Sequence, residues 1–299
     1  MKNLKLTSLV IALTLMVGLF SCSDDESTTK GSARISATDA KVDAENVIGV
    51  FLSVKEIQAK GDADTKTVIS FEDPLVFNLM AYQNGETFAM GEGDVEVGSY
   101  NELRFIISGE SDSYLEMKDG SKKSLEIPSG TSSGYKIAGA FDIAANETVD
   151  LVADIDLRKA LTVTGEGTYK LRPTGRVVEA EATGIIRGTI SGDMPQDKQL
   201  IVFAYLKGTY SEEEASTTNP NRFDGAINSA FVSSAGSYTL AFMEEGEYEL
   251  VVASYSNTDD DDELEFDGTL DFELLLGIDV INSVEIESNS TVELSIELL

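Results

Sequence analysis

The reading of the fold turns on Tyr135-Lys136-Ile137-Ala138-Gly139-Ala140-Phe141-Asp142-Ile143 and on Val149-Asp150-Leu151-Val152-Ala153-Asp154-Ile155-Asp156-Leu157. In the first run Tyr135, Ile137, Gly139, Phe141 and Ile143 share one face. In the second Val149, Leu151, Ala153, Ile155 and Leu157 do, with Asp150, Asp154 and Asp156 opposite. A period of two is the pattern of a half-buried strand, because successive strand side chains point to opposite faces. The alternation recurs upstream: Ile48, Val50, Leu52 and Val54 alternate with Gly49, Phe51, Ser53 and Lys55, and the run continues to Ile57. Leu103, Phe105 and Ile107 repeat it after a turn at Val97-Gly98-Ser99. Residues 114–117 and 124–127 flank Lys118-Asp119-Gly120-Ser121, whose Asp-Gly pair tolerates positive φ and favours a hairpin. Only residues 75–82 and 156–160 leave room for a helical turn. The expected fold is all-β, two antiparallel β-sandwich domains in tandem.

Thr183-Gly184 marks the expected boundary, since residues 184–192 begin a new alternating strand between glycines. Residues 199–207 follow, with Ile201, Phe203 and Tyr205 on one face, and Val292, Leu294, Ile296 and Leu298 form a last strand that closes the sandwich. Between them residues 211–224 read as an inserted loop with Pro220 and three consecutive glutamates. Gly236-Ser237-Tyr238 and Glu245-Gly246-Glu247-Tyr248 resemble the glycine-tyrosine strand pair of transthyretin-like modules, as in carboxypeptidase regulatory-like repeats. That resemblance bears on fold and is almost silent on function. It also raises an intramolecular isopeptide between Lys198 or Lys207 and an asparagine, as in some transthyretin-like adhesin modules, although no motif identifies the partner.

Upstream of that boundary a second resemblance is carried by a series in order. It runs Ile35-Ser36-Ala37-Thr38-Asp39-Ala40, Val54-Lys55-Glu56-Ile57, Phe77-Asn78-Leu79 with Asn84-Gly85, and Val97-Gly98-Ser99-Tyr100-Asn101-Glu102-Leu103-Arg104. Ile127-Pro128-Ser129, Ser133-Gly134-Tyr135-Lys136, Asp154-Ile155-Asp156-Leu157 and Gly167-Thr168-Tyr169-Lys170-Leu171-Arg172-Pro173 complete it. The series is similar to the lipoprotein domain catalogued as domain of unknown function 4382, over about residues 32–182. Lys41 departs from the family's usual proline. The resemblance implies a β-sandwich in the cell envelope and brings no activity.

The N-terminus has a basic leader, Met1-Lys2-Asn3-Leu4-Lys5, and a nearly continuous apolar run from Leu6 to Phe20. This is the grammar of a secretory signal, and the run is short for a membrane span of about 20 apolar residues. It ends in Leu19-Phe20-Ser21-Cys22, which resembles the bacterial lipobox; Phe20 is bulkier than usual there. Residues 1–21 are therefore expected to be a lipoprotein signal peptide and Cys22 the lipidated mature N-terminus. A peptidase cutting elsewhere would leave a free thiol instead. Two or more acyl chains give durable attachment, through about 0.8 kcal/mol per buried CH₂. Ser23-Asp24-Asp25-Glu26 looks like the surface-export signal of Bacteroidetes lipoproteins, the alternative being a solvated spacer. Residues 22–31 form an acidic, polar tether, residues 32–182 the family-like domain and residues 183–299 an acidic transthyretin-like domain. The expected location is the outer membrane, lipid-anchored and facing the exterior.

Composition excludes more than it selects. The chain holds 22 Lys and Arg against 53 Asp and Glu, a net charge of −31, which repels phosphate backbones and argues against nucleic acid as a partner. From Ser211 to Leu299 there is one basic residue, Arg222, and 22 acidic ones. A halophilic habitat, a cation ligand or solubility would each account for that. With no histidine and a single cysteine, Ser-His-Asp and Cys-His machinery and ordinary zinc sites are excluded, and no disulfide can form within the chain. Gly91-Glu92-Gly93 lacks the rest of a phosphate-binding fingerprint. No catalytic residues are expected and the protein reads as no enzyme.

Asp259-Asp260-Asp261-Asp262-Glu263 is a concentrated oxygen-ligand source of the kind calcium prefers, yet Leu264 stands where an EF-hand loop needs glycine. The alternative is a solvated loop, and no other cofactor is expected. Asp154 and Asp156, two apart on one strand face, are expected to accept turn hydrogen bonds or to pair with Arg172 or Arg176. Three functional classes remain. The first is a tethered, non-catalytic recognition or scaffold module whose partners are the membrane and an extracellular glycan or protein. The second is a pilus or envelope-assembly subunit that exchanges strands; the third is a carboxylate-dependent hydrolase.

Overall fold

The computed structural model describes residues 29–40, 47–109, 111–195, 197–219, 222–256, 265–277 and 279–299. Cys22, Ser23, Asp24, Asp25 and Glu26, and the calcium candidates Asp259, Asp260, Asp261, Asp262 and Glu263, lie outside the described residues.

The N-terminal half is built from β1 (Lys30–Ala40), β2 (Val47–Gly61), β3 (Thr65–Asn78), β4 (Phe88–Glu96), β5 (Gly98–Ile107), β6 (Tyr114–Met117), β7 (Lys122–Glu126), β8 (Tyr135–Ile143) and β9 (Thr148–Asp156). The single-turn helix α1 (Leu157–Ala160) follows, then β10 (Leu161–Val163), β11 (Tyr169–Leu171) and β12 (Arg176–Glu179). These strands form one 12-stranded sheet in the order β10-β11-β7-β6-β2-β5-β8-β12-β9-β1-β4, with β3 on the other side of β2. The sheet curls on itself. At Gly93 of β4 a Cβ would overlap the Val68 carbonyl of β3, so the two meet only because glycine stands there. The curled walls enclose one core, centred on the fully buried Ile35, Leu52, Ile57, Leu103, Phe105, Leu115, Tyr135 and Ile137.

The alternation read in β2 is real but is re-phased. Val50, Leu52 and Val54 are buried on one parity, Ile57 and Ala59 on the other, and the register shifts between Val54 and Glu56. A β-bulge adds one residue and flips the faces beyond it. Another shift lies between Val47 and Gly49, and Ile48, expected inside, is 49% exposed. The Asp119-Gly120 hairpin forms between β6 and β7, with Gly120 at φ 78°.

The C-terminal half holds β13 (Thr183–Gly192), β14 (Lys198–Leu206), β15 (Asn228–Phe231), β16 (Ser237–Glu244), β17 (Gly246–Ser256) and β18 (Glu265–Leu270). It continues through β19 (Phe272–Leu276), β20 (Asp279–Ile281), β21 (Val284–Ile286), β22 (Thr291–Glu293) and β23 (Ser295–Leu298). One sheet runs β16-β13-β23-β19-β20 with β22 on β13; the other runs β15-β14-β17-β18 with β21 on β17. They face each other across Ile186, Leu240, Leu294 and Ile296 on one side and Leu200, Val202, Tyr248 and Val252 on the other. Ile201, Phe203 and Tyr205 do share a face, but it is the outer one. Residues of the loop read as an insertion cover it: Phe223 stacks on Phe203 at 4.1 Å between ring centroids, and Phe266 meets Phe223 edge-on.

The all-β expectation holds, and antiparallel pairing dominates. Some pairings are parallel, however: β1 with β9, β11 with β7, β12 with β8, and β13 with both β22 and β23. The first strand of each half lies inside its sheet and takes a late strand of that half alongside it, which period-two patterning cannot foresee. Among the described residues no strand before residue 180 pairs with a strand after it. Lys198 and Lys207 form ion pairs with Asp267 at 2.9 Å and Glu247 at 2.5 Å, so carboxylates and not an asparagine face the two lysines suggested for an isopeptide.

Candidate functional site

The titratable groups with the most constrained surroundings gather at the seam of the two halves, where β1, β9 and α1 end. Strand alternation puts Asp154 and Asp156 on one face of β9, as their spacing implies. Asp156 then caps α1, accepting from the Arg158 backbone N–H at 3.1 Å. The Arg158 guanidinium folds back on the same carboxylate with bonds of 2.9 and 2.7 Å, a fork-to-fork pair. Asp154 Oδ2 accepts from Nε of Arg176 at 3.0 Å and forms an ion pair with its Nη2 at 2.9 Å. Burial lifts the Asp154 carboxyl above its ordinary range, and the charge of Arg176 opposes that lift.

Asp39 is the group that sequence reasoning missed. It lies at the end of β1, opposite Ile155 of β9 in the parallel register. One carboxylate oxygen accepts from the Leu157 backbone N–H at 3.1 Å, and the other has no hydrogen-bond partner among the described residues. Burial holds its pKa well above the carboxylate range, with Asp156 and Asp154 adding like charge. Asp39 shares its parity with Ile35 and Ala37, both fully buried, but the parity alone does not place an aspartate inside. Close by, the Tyr135 hydroxyl donates to the Arg172 carbonyl at 2.8 Å, and burial raises its pKa.

The seam is bolted from the first half into the second. Nη2 of Arg176 donates to the Phe242 carbonyl at 2.8 Å, where Phe242 adopts the left-handed φ of 55° in β16. Lys159 donates to the Ala226 carbonyl at 2.9 Å, and the Arg158 guanidinium lies 5.3 Å from the Phe203 ring centroid. The expected Asp154–Arg176 pair is therefore present, while Asp156 is held by Arg158 and not by Arg172. Asp154 and Asp156 are each spent on an arginine, and Asp39 is sealed. This is the architecture of a joint: Asp154 and Asp156 tie β9 and α1 to arginines that reach the second half.

Open concavity lies elsewhere. A cavity of about 540 Å³ opens at the β6–β7 end of the first sheet. Hydroxyls line it from Ser111, Ser124, Ser129, Thr131, Ser132 and Thr168. Glu126 on its wall is paired with Lys170 at 3.0 Å. Among the described residues no cluster of acidic or cysteine side chains has the arrangement of a metal site. No helix among them is long and apolar enough to cross a membrane.

Comparison with known proteins adds one firm point. Residues 30–173 match the family described as domain of unknown function (DUF4382). That span, just under half of the chain, covers β1 to β11 and stops short of Arg176, although β12 belongs to the same sheet. No curated protein matches the chain. Among solved structures, the Bacillus anthracis TIE protein aligns at 11% identity and a TM-score of 0.20 over 91% of this chain and 34% of its own. The minor pilin GBS52 of Streptococcus agalactiae aligns at 11% and 0.21, over 89% and 95%. A carbohydrate-binding protein assignment accompanies a Pseudomonas aeruginosa structure at 11% and 0.22, over 39% and 90%. The chain spans about a third of the length of the Bacillus anthracis protein.

Proposed function

We propose that the protein is a cell-envelope lipoprotein of Bacteroidetes type, anchored through Cys22 to the outer membrane and displayed outward by Ser23-Asp24-Asp25-Glu26. It acts as a non-catalytic recognition or scaffold module, its second half a transthyretin-like sandwich. The observation that carries the non-catalytic reading is the state of the seam carboxylates. Asp154 and Asp156 are locked to arginines, and Asp39 is closed off from ligand. The hydroxyl-lined cavity supplies instead the donors and acceptors that suit a polyhydroxylated ligand.

The test is a thermal-shift screen of the full mature protein against a panel of neutral and acidic polysaccharides. A ligand at a hundred times its Kd stabilises the folded state by about 2.7 kcal/mol. At least one saccharide is expected to shift the transition; a panel without any shift would sink recognition of glycans.

A second reading has its own observation. β1 follows directly on the tether and is held on both flanks, by β4 antiparallel and by β9 in parallel register from Ser32–Thr148 to Ala40–Asp156. Removal of such a strand would open a slot that a neighbour's strand could fill, the mode of a strand-exchange envelope subunit. That reading requires proteolytic loss of β1 and SDS-resistant ladders. A monomeric lipidated chain retaining β1 contradicts it.

A further inference from the structure

The seam carries one site that the acidity of the chain makes unexpected. A cavity of about 510 Å³ lies between the halves, and four cationic side chains reach its wall: Arg158 and Lys159 from α1, Arg172 just beyond β11, and Arg222 from the loop that covers β14. Asp224 is the one carboxylate on that wall among the described residues. Arg222 is also the only basic residue between Ser211 and Leu299.

Each cation is positioned differently. Asp156 holds the Arg158 fork and lies 3.7 Å from Lys159, so it neutralises part of that pair. Arg222 is carried by neutral groups, donating to the Thr217 and Asn219 carbonyls at 3.4 and 3.3 Å, with its guanidinium 5.0 Å from the Phe266 ring centroid. Arg172 is exposed, and among the described residues its guanidinium has no ion-pair partner. Asp156 and Asp224 thus leave an excess of about two positive charges in a hollow of a strongly acidic molecule. Guanidinium forks match planar or tetrahedral oxyanions in two-point contact, which a lysine cannot do. Thr162 and Thr174 add hydroxyls to the same wall. The volume is within the range of ordinary small-ligand sites.

We infer that this cavity binds an acidic saccharide, its carboxylate or sulfate groups held by Arg172 and Arg222 with Arg158 and Lys159 behind them. The inference rests on the recognition reading and adds to the hydroxyl-lined cavity a second one, at the seam, that takes an acidic ligand. The experiment is equilibrium titration of the full mature protein with trigalacturonate, a chondroitin sulfate tetrasaccharide, and neutral maltotriose, alongside poly-glutamate and inorganic sulfate. At least one acidic saccharide is expected to bind, the carboxylate and sulfate arms separating the two sources of charge. Arg172→Gln, an exposed change that leaves the fold intact, is expected to weaken that binding about tenfold, the loss of a charge-assisted contact. Arg172→Lys should recover part of it, and Arg34→Gln, on a remote strand, none to lose.

The inference is overturned if neither acidic saccharide binds, if Arg172→Gln leaves their binding unchanged, if Arg172→Gln weakens maltotriose binding as much, or if only poly-glutamate or inorganic sulfate binds. Binding of neutral saccharides alone would remove this inference and leave recognition standing. No saccharide binding of any kind would remove this inference and glycan recognition together.

Discussion

Arg176 joins three groups at once: the Asp154 carboxylate, the Phe242 carbonyl, and at 3.7 Å the Glu244 carboxylate. Its substitution by Ala strands a mostly buried charge on Asp154, which costs about 3–5 kcal/mol. Urea denaturation of Arg176→Ala should show that loss, and Arg176→Lys should recover little, because one ammonium cannot serve Asp154 and Phe242 in the same plane. Asp39 gives the opposite sign. Its folded-state pKa lies above the unfolded one, so its contribution to stability is full below the ordinary carboxylate range and is lost as pH rises towards the raised value. Asp39→Asn should therefore stabilise the protein at neutral pH and flatten its stability profile above about pH 4. Unchanged slope in the variant would mean that Asp39 ionises freely. The partner of Asp154 was legible because two residues of like parity on a strand need a cation, and few were near. Asp39 was not, because its place became visible only when β9 came alongside β1.

At the scale of elements, glycine sets where strands can touch. A Cβ on Gly188 of β13 would overlap the Leu294 carbonyl, just before β23, at a point where the last strands lie parallel to the first strand of that half. Gly188→Ala should cost several kcal/mol, about as much as other severe core changes. Circular dichroism and limited proteolysis would locate the loss: the C-terminal half should open first while the N-terminal core stays protected. Equal opening of both halves would contradict the separation of their sheets and cores. Strand positions were legible from period two, as in β8 and β9. The bulge in β2 and the two-sided burial of β14 were not, since one inserted residue or one covering loop changes the faces without changing the composition. Phe223 shows the second case: an aromatic in a polar loop, stacked on an outer strand face.

At the scale of the molecule, two β halves meet at a joint of paired carboxylates and arginines, with a cationic hollow beside it. The expectation of a signal, tether and acidic run rests on charge, length and one thiol, and it concerns residues outside those described. The hollow was not legible in the sequence, because Arg158, Lys159, Arg172 and Arg222 lie far apart in the chain and gather only when the halves meet. If the acidic run directs display, changing Asp24 and Asp25 to Ala should lower antibody labelling of intact cells at constant total protein; unchanged labelling would make it a spacer. The most direct test of the tether itself is mass spectrometry of the N-terminal peptide from the membrane fraction. The account predicts that the peptide begins at Cys22 and carries acyl chains, and that Cys22→Ala sends the protein to the soluble fraction. An unacylated mature N-terminus at another residue, in a freely released protein, would contradict it.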